Sequence, residues 1–348
     1  MCGAVFYLEY NSDMKRKYAV ALIVVFLIPV LFYTKKTEEG DQNIPLSQKL
    51  DKIFGKEDFS VLNFGDIMFD RGVRNIIENR NRDPFEHIKK SNSFFHDYDV
   101  VVANLEGPIV TMDRSLCQTK AYNFQFASDT TNRIREAGIT MVNIANNHSY
   151  DCYAKGYEST ISELSKAGID YIGQRPQEKS YVEKNINGKK VAFIGIDETV
   201  APIPVSGYYQ TIKELKSKND FVIVNIHWGT EYMLTENDSQ TAIAQALIDS
   251  GADAIFGHHP HVIEPVKIYK GKPIFYSLGN FVFDQNFGDT TKGLGAGVVF
   301  EKNKISVEIY PFNIKIFAPD FMTGQEREEF CNKFLRNLDH DGCKFEIN

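Results

Sequence analysis

Three of the eight histidines fall within four residues, in Gly257-His258-His259-Pro260-His261. They follow directly on the apolar run Ala252-Asp253-Ala254-Ile255-Phe256. Four other apolar runs also end in a side chain able to hold a metal. Val61 to Phe64 ends in Gly65-Asp66, and Val100 to Ala103 ends in Asn104-Leu105-Glu106. Met141 to Ala145 ends in Asn146-Asn147-His148, and Phe221 to Ile226 ends in His227-Trp228-Gly229. Carboxylate oxygens, an Asn amide and imidazole nitrogens form a mixed donor set. That set suits Mn, Fe or Zn, whereas Ca takes oxygens alone and thiolate-selecting metals need Cys. It has room for one or two divalent ions, and two-ion hydrolases need a bridging carboxylate with capping ligands.

Each of these residues also has a plainer reading. A lone Asp66 suits a turn or a helix cap. Glu106, before Gly107-Pro108, suits the start of a turn. Asn147 could close an Asx turn, and His227 could be a packed core histidine. The pair His259 and His261 resists that treatment. Side chains two apart on an extended segment share a side, so both imidazoles can meet one ion while His258 points away. Taken together, the five strand ends predict one metal site.

Those residues need a scaffold that brings the ends of several strands to one edge. From Asp58 to about Gly257, apolar strands alternate with amphipathic helices. Helical spacing covers Thr130 to Ala137, Tyr157 to Ala167 and Ser239 to Ser250, each followed by a glycine stop. Such alternation implies parallel strands with helical cover, and ligands gather beyond the carboxyl ends of those strands. After Gly257 the pattern changes to hairpins. Val266 to Tyr269 turns at Gly271-Lys272 into Ile274 to Leu278, and Gly297 to Phe300 turns into Ile305 to Tyr310. A second sheet packed on the first, within one domain, accounts for both halves. A last amphipathic helix is expected over Gln325 to Leu338.

The composition is that of a globular chain: 348 residues, 43% hydrophobic, with 24 Gly and 12 Pro. A net charge of -7 offers no basic stripe and argues against nucleic acid. The cysteines form no CxxC pair. Cys331 with Cys343, and Cys117 with Cys152, could join outside the cytosol, but ordinary packed or free thiols are the expectation. Tyr18 to Tyr33 is an uncharged apolar run between Lys15-Arg16-Lys17 and Lys35-Lys36. Its length as a helix, roughly 24 Å, comes close to a hydrocarbon core once flanking lysines snorkel. No small-x-small cleavage site follows, so an uncleaved single-pass anchor with a cytoplasmic N-terminus is expected. The organisation then reads as 1–17 cytoplasmic, 18–33 anchor, 34–57 linker, 58–320 main extracytoplasmic domain, and 321–348 C-terminal helix and tail.

Six blocks in order carry a family resemblance. They are Gly65-Asp66-Ile67-Met68, Ala103-Asn104-Leu105-Glu106-Gly107-Pro108, Ala145 to Asp151, His227 to Tyr232, Gly257 to Val262, and Tyr276 to Phe283. Together they resemble the bacterial capsule-synthesis proteins of the CapA or PgsA type, associated with poly-γ-glutamate. That family is similar in turn to the calcineurin-like metallophosphoesterases. The resemblance implies a four-layer α-β-β-α sandwich of two mixed sheets. It also implies Asp66, Glu106, Asn147, His227, His259 and His261 as metal ligands, and His148 with Asn147 as catalytic groups. This chain departs from the phosphoesterase pattern at Met68, where those enzymes carry a histidine, and at Glu106, where they carry aspartate. Asp70 is a possible substitute ligand. Arg71 could hold an anionic substrate group through its planar fork, against the plain reading of a surface arginine, and Asn104 is grouped with it as a substrate contact. Two functions are compatible with this pattern. One is a membrane-anchored hydrolase cleaving a phosphoester or an amide. The other is a non-catalytic metal-binding subunit of a capsule synthase and export complex that handles anionic polymer.

Overall fold

The structure is a computed structural model that describes residues 58–111, 113, 115, 117–173, 180–200 and 206–348. The expected N-terminus, anchor and linker at 1–17, 18–33 and 34–57 lie outside the described residues. Among the described residues no helix is long and apolar enough to cross a membrane.

The first half alternates strand and helix. Strands β1 (Phe59–Ile67), β2 (Val100–Leu105), β3 (Met141–Asn143) and β4 (Asp170–Ile172) are separated by α1 (Arg71–Arg80), α2 (Thr130–Glu136) and α3 (Tyr153–Ala167), among shorter turns. A hairpin of β5 (Tyr181–Ile186) and β6 (Lys189–Asp197) leads to α4 (Ser206–Lys216), β7 (Phe221–His227), α5 (Asp238–Asp249) and β8 (Ala254–His258). Then come β9 (Ile263–Tyr269), β10 (Lys272–Leu278), β11 (Asn280–Val282), β12 (Lys292–Phe300), β13 (Ile305–Lys315) and β14 (Ala318–Phe321). The chain closes with α6 (Gly324–Phe334), β15 (His340–Asp341) and β16 (Lys344–Ile347).

Both sheets are mixed. The larger runs β15-β16-β13-β12-β1-β2-β3-β4, with β11 beside the end of β1 and β14 on β13. The smaller runs β5-β6-β7-β8-β10-β9. Strands β1 to β4 are mutually parallel, as are β6, β7, β8 and β10, so their carboxyl ends share an edge within each sheet. Alternation along each strand then divides the core. Phe59 and Val61 of β1, with Val100 and Val102 of β2, meet Phe193, Ile223 and Phe256 between the sheets. Leu62, Phe64, Val101 and Ala103 face outward, toward Val73, Ile134 and Leu164 of α1, α2 and α3. Val222, Val224 and Ile255 pack outward against Ile212 and Leu247 of α4 and α5. Burial on both faces explains why these strands read as unbroken apolar runs.

Three expectations need correction. The second half is not confined to a second sheet, for its first hairpin, β9 and β10, joins the smaller sheet and the strands after it join the larger. Strand β12 returns to pair antiparallel with β1, and the middle of the chain forms the smaller sheet. A local pattern cannot show this, because it depends on which open edge β12 covers. The segment after residue 320, expected as a C-terminal helix and tail, carries that helix in α6 but ends in β16, which pairs with β13 and extends the larger sheet. Finally, Cys117–Cys152 and Cys331–Cys343 are both disulfides, so the free-thiol expectation fails for these four residues.

Candidate metal centre

Strand register sets the floor of the site. Asn143 of β3 lies opposite Asn104 of β2, Asn104 opposite Asp66 of β1, and Asp66 opposite Asn280 of β11. A bulge in β1 between Asn63 and Asp66 precedes this row. Bulges re-aim side chains at strand ends. In the smaller sheet His227 pairs with His258 across β7 and β8. Glycine permits the close approaches that this layout needs. A Cβ on Gly65 would sit 1.8 Å from the carbonyl oxygen of Gly279, and one on Gly257 would sit 1.9 Å from that of Tyr276.

Asp66, Glu106 and His261 converge, with one ligand atom from each within 4.8 Å of the others. All three are buried. Asp66 Oδ1 accepts from Asn104 Nδ2 at 2.8 Å, and Oδ2 accepts the His259 backbone N–H at 3.3 Å. Its Oδ2 also lies 3.3 Å from His261 Nδ1. Burial pushes the Asp66 carboxyl up, but the hydrogen bond and charge of His261 outweigh it and hold the group below its ordinary value. Glu106 has no comparable support. Among the described residues neither carboxylate oxygen has a hydrogen-bond partner, and the imidazoles of His261 and His148 lie 3.7 and 3.8 Å away. Burial raises Glu106 well above its ordinary range, with Asp66, Glu231 and Asp151 adding to that against the pull of His261. An orphaned buried carboxylate costs stability unless a cation arrives. Three buried protein donors of this kind fit a divalent ion.

A second group forms beside the first. His227 Nε2 lies 3.0 Å from Asn147 Oδ1, and the His227 and His259 rings stand 4.8 Å apart. The Nδ1 of His259 is buried without a partner among the described residues. Burial, with neighbouring imidazoles, holds His227 well below its ordinary value. Burial pulls His259 down to about 4, helped by His261 and opposed by Asp66 and Glu231. Such imidazoles are neutral near pH 7, the form that ligates metals. His261 is the exception, pushed up to about 9 because Glu106 and Asp66 overcome its burial. A cation would take over that role of charge compensation.

The geometry behind the His259 and His261 pairing differs from the expected extended strand. Their φ angles are 99° and 57°, so the segment beyond β8 is a turn. The two rings still reach one region, with centroids 6.1 Å apart. His258 does not point away. It is fully buried, with Nδ1 3.6 Å from Asp66 Oδ1 and Nε2 3.3 Å from Asn225 Oδ1.

The remaining candidates fall behind or beside the centre. Asn104 is fully buried, so the expected substrate contact is corrected to a positioning role. Its Nδ2 faces Asp66 and also His227 Nδ1 at 3.3 Å, and its Oδ1 accepts from Asn143 and Asn146. Asp70 is no substitute ligand. It caps α1 by accepting the Arg71 N–H at 2.8 Å, and it also holds Arg74 and the Gln125 N–H. Met68 turns its sulfur to the Asp70 N–H at 2.9 Å. Arg71 is bonded to Asp284 and lies over the rings of Phe124, Phe283 and Tyr122, at 4.9, 5.7 and 5.9 Å. His148 donates or accepts through Nδ1 at 2.8 Å from Asp151. Burial lowers its pKa, opposed by Asp151. Sequence reasoning assigned no role to Asp151, Asn143, Asn146, Asn225 or Asn280. Asn280 holds His261 Nδ1 at 3.0 Å. Only the Asp151 position, three residues after His148, offered a local signal.

The profile described as bacterial capsule synthesis protein PGA_cap matches residues 60–285. The chain is 30% identical to a capsule biosynthesis protein CapA of Bacillus anthracis, over 96% of this chain and 84% of that protein. It is 31% identical to a PGA biosynthesis protein CapA of Bacillus subtilis strain 168, over 77% of this chain and 75% of that one. Among solved structures it resembles a novel phosphatase from Mycoplasma pneumoniae, with a TM-score of 0.44 at 15% identity, covering 76% of this chain and 91% of that one. The matched span contains every donor of the buried centre, and the chain belongs to the family of bacterial capsule synthesis proteins.

Proposed function

We propose that this chain is a membrane-tethered, extracytoplasmic metal-dependent hydrolase of capsule polymer assembly, cleaving a phosphoester or an amide of a γ-linked polymer. The observation that carries this reading is Glu106, a fully buried carboxylate with both oxygens unpartnered among the described residues, facing Asp66 and His261. A divalent ion, Mn, Fe or Zn, supplies Lewis acidity and a nucleophile near neutral pH when bound. Asp66, Glu106 and His261 would hold it, and Asn147, His227 and His259 would hold a second. With its Nδ1 edge turned to Asp151, His148 presents Nε2 to the centre, and that nitrogen moves the proton to the leaving group. Arg71, about a third exposed, stands near His148 through Phe124, and its planar cation, paired with Asp284 in this structure, would exchange that carboxylate for an anionic group of the polymer. A net charge of -7 opposes a polyanion at long range, so this local cation and the metal must provide the attraction. Two disulfides suit an oxidising compartment, in keeping with an anchor at 18–33. The partners would be capsule synthase and export subunits.

Met68 favours a second reading. With its sulfur on Asp70 and Asp70 committed to α1, the first position lacks the extra ligand of related hydrolases. The chain would then bind metal and polymer as a non-catalytic subunit. His259→Ala combined with His261→Ala separates the two when metal content and polymer output are measured together. The hydrolase reading expects both to be lost. Output that survives loss of the metal contradicts it.

A further inference from the structure

His148 is held from behind by groups that metal binding does not use. Oδ2 of Asp151 lies 2.8 Å from His148 Nδ1 and accepts the Phe124 backbone N–H at 2.7 Å. Oδ1 faces Lys120 Nζ at 2.5 Å. The Phe124 ring lies on the His148 imidazole, with centroids 4.1 Å apart at 30°. The Asp151 carbonyl accepts the Gln118 N–H at 2.8 Å, and Gln118 Nε2 donates to the Tyr150 carbonyl at 2.8 Å. Immediately beside both partners stands the Cys117–Cys152 disulfide. One covalent link therefore ties the segment bearing Lys120 and Phe124 to the turn bearing His148 and Asp151.

We propose that Asp151 is the positioning residue for His148, and that the Cys117–Cys152 disulfide locks this pair by holding Phe124 and Lys120 on it. The proposal deepens, and rests on, the reading of His148 as the group that moves a proton.

A carboxylate on Nδ1–H selects one tautomer and stops the ring from turning, which leaves Nε2 fixed 3.8 Å from Glu106 Oε1. A buried carboxylate persists only if its other lone pairs are satisfied. The Phe124 N–H does this at Oδ2, the Lys120 ammonium stands beside Oδ1 as a counter-charge, and both lie on the stapled segment. The stack of Phe124 closes one face of the imidazole to water. Without the staple, that segment is free to leave and takes the Phe124 N–H and Lys120 away from Asp151. The second disulfide, Cys331–Cys343, packs in the core between the sheets and serves as a control.

The test compares three variants of the full-length chain with the parent. They are Cys117→Ser with Cys152→Ser, Asp151→Asn, and Cys331→Ser with Cys343→Ser. Three readouts apply: amide exchange over residues 117–126, the ring-nitrogen signals of His148, and kcat and KM for bis-nitrophenyl phosphate with metal content. Loss of the first disulfide is expected to speed exchange in that segment about tenfold or more. It should also mix the His148 tautomers and lower kcat about 10- to 100-fold, with KM and metal content unchanged. Asp151→Asn should reproduce the tautomer and kcat effects, and it decides the matter if the serine pair does not fold. The Cys331 and Cys343 variant should match the parent in all three. Unaltered His148 ring signals in Asp151→Asn would overturn the proposal. If the parent hydrolyses nothing, the hydrolase reading fails on its own, while exchange and ring signals still judge the positioning.

Discussion

Glu106 gathers the chemistry of the site into one carboxylate. It is fully buried, both oxygens lack partners among the described residues, and burial raises it well above the ordinary value. A raised folded pKa means that the folded state favours the neutral acid. Stability is therefore lost as pH climbs above the unfolded value, until a cation compensates the charge. Glu106→Gln should raise the melting temperature of the metal-free chain near pH 7 and abolish the further rise on adding Mn or Zn. Thermal melts with and without chelator check both directions. Asn104 illustrates the opposite case, a polar side chain with all its capacity used. Asn104→Leu leaves Asp66 Oδ1 and the amides of Asn143 and Asn146 short of a partner. It should cost about 2 kcal/mol or more, read from the urea midpoint, and should weaken metal binding without touching an exposed surface.

At the scale of elements, the site depends on how closely strand ends approach. Gly257 of β8 lies against the Tyr276 carbonyl and the Trp228 indole, so Gly257→Ala must push β8 from β10. A loss of about 3 kcal/mol is expected, in the range of overpacked cores, together with loss of metal binding through His258 to His261. Glu264 on β9 supplies a pH effect. It accepts from Gln240 Nε2 of α5 at 2.7 Å, and burial pushes it up to about 7, against Gln240 and with Glu236 adding. Its folded pKa lies above the unfolded one, so stability should fall between about pH 4.5 and pH 7. The effect of this group is on the order of 3 kcal/mol, and Glu264→Gln should flatten that slope in pH-dependent denaturation. Much of this frame was legible in the sequence, because strands buried on both faces must be apolar and ligands must sit at their ends. The turn at His259 and His261 was not, since positive φ leaves no mark on two histidines flanking a proline. Nor were Asn143, Asn280 and Asp151, whose roles depend on register and on packing of distant segments. The pairing of β12 with β1 was hidden for the same reason.

For the whole molecule, the two sheets present their carboxyl edges to one centre, and two disulfides fasten segments of the fold, one beside His148 and one in the core between the sheets. Cys331–Cys343 links α6 to the turn before β16, across 12 residues. Replacing both cysteines by serine should cost about 3 kcal/mol in the chain-entropy picture and leave metal affinity intact, as calorimetry and metal titration would show. The central claim is that strand ends from both sheets assemble a divalent metal centre. Its most direct test is metal analysis of the chain purified without a histidine tag, beside the His259→Ala and His261→Ala double variant. The account predicts about one equivalent or more of Mn, Fe or Zn in the parent and loss of it in the variant. Less than about half an equivalent in the parent, or equal metal in both, contradicts it.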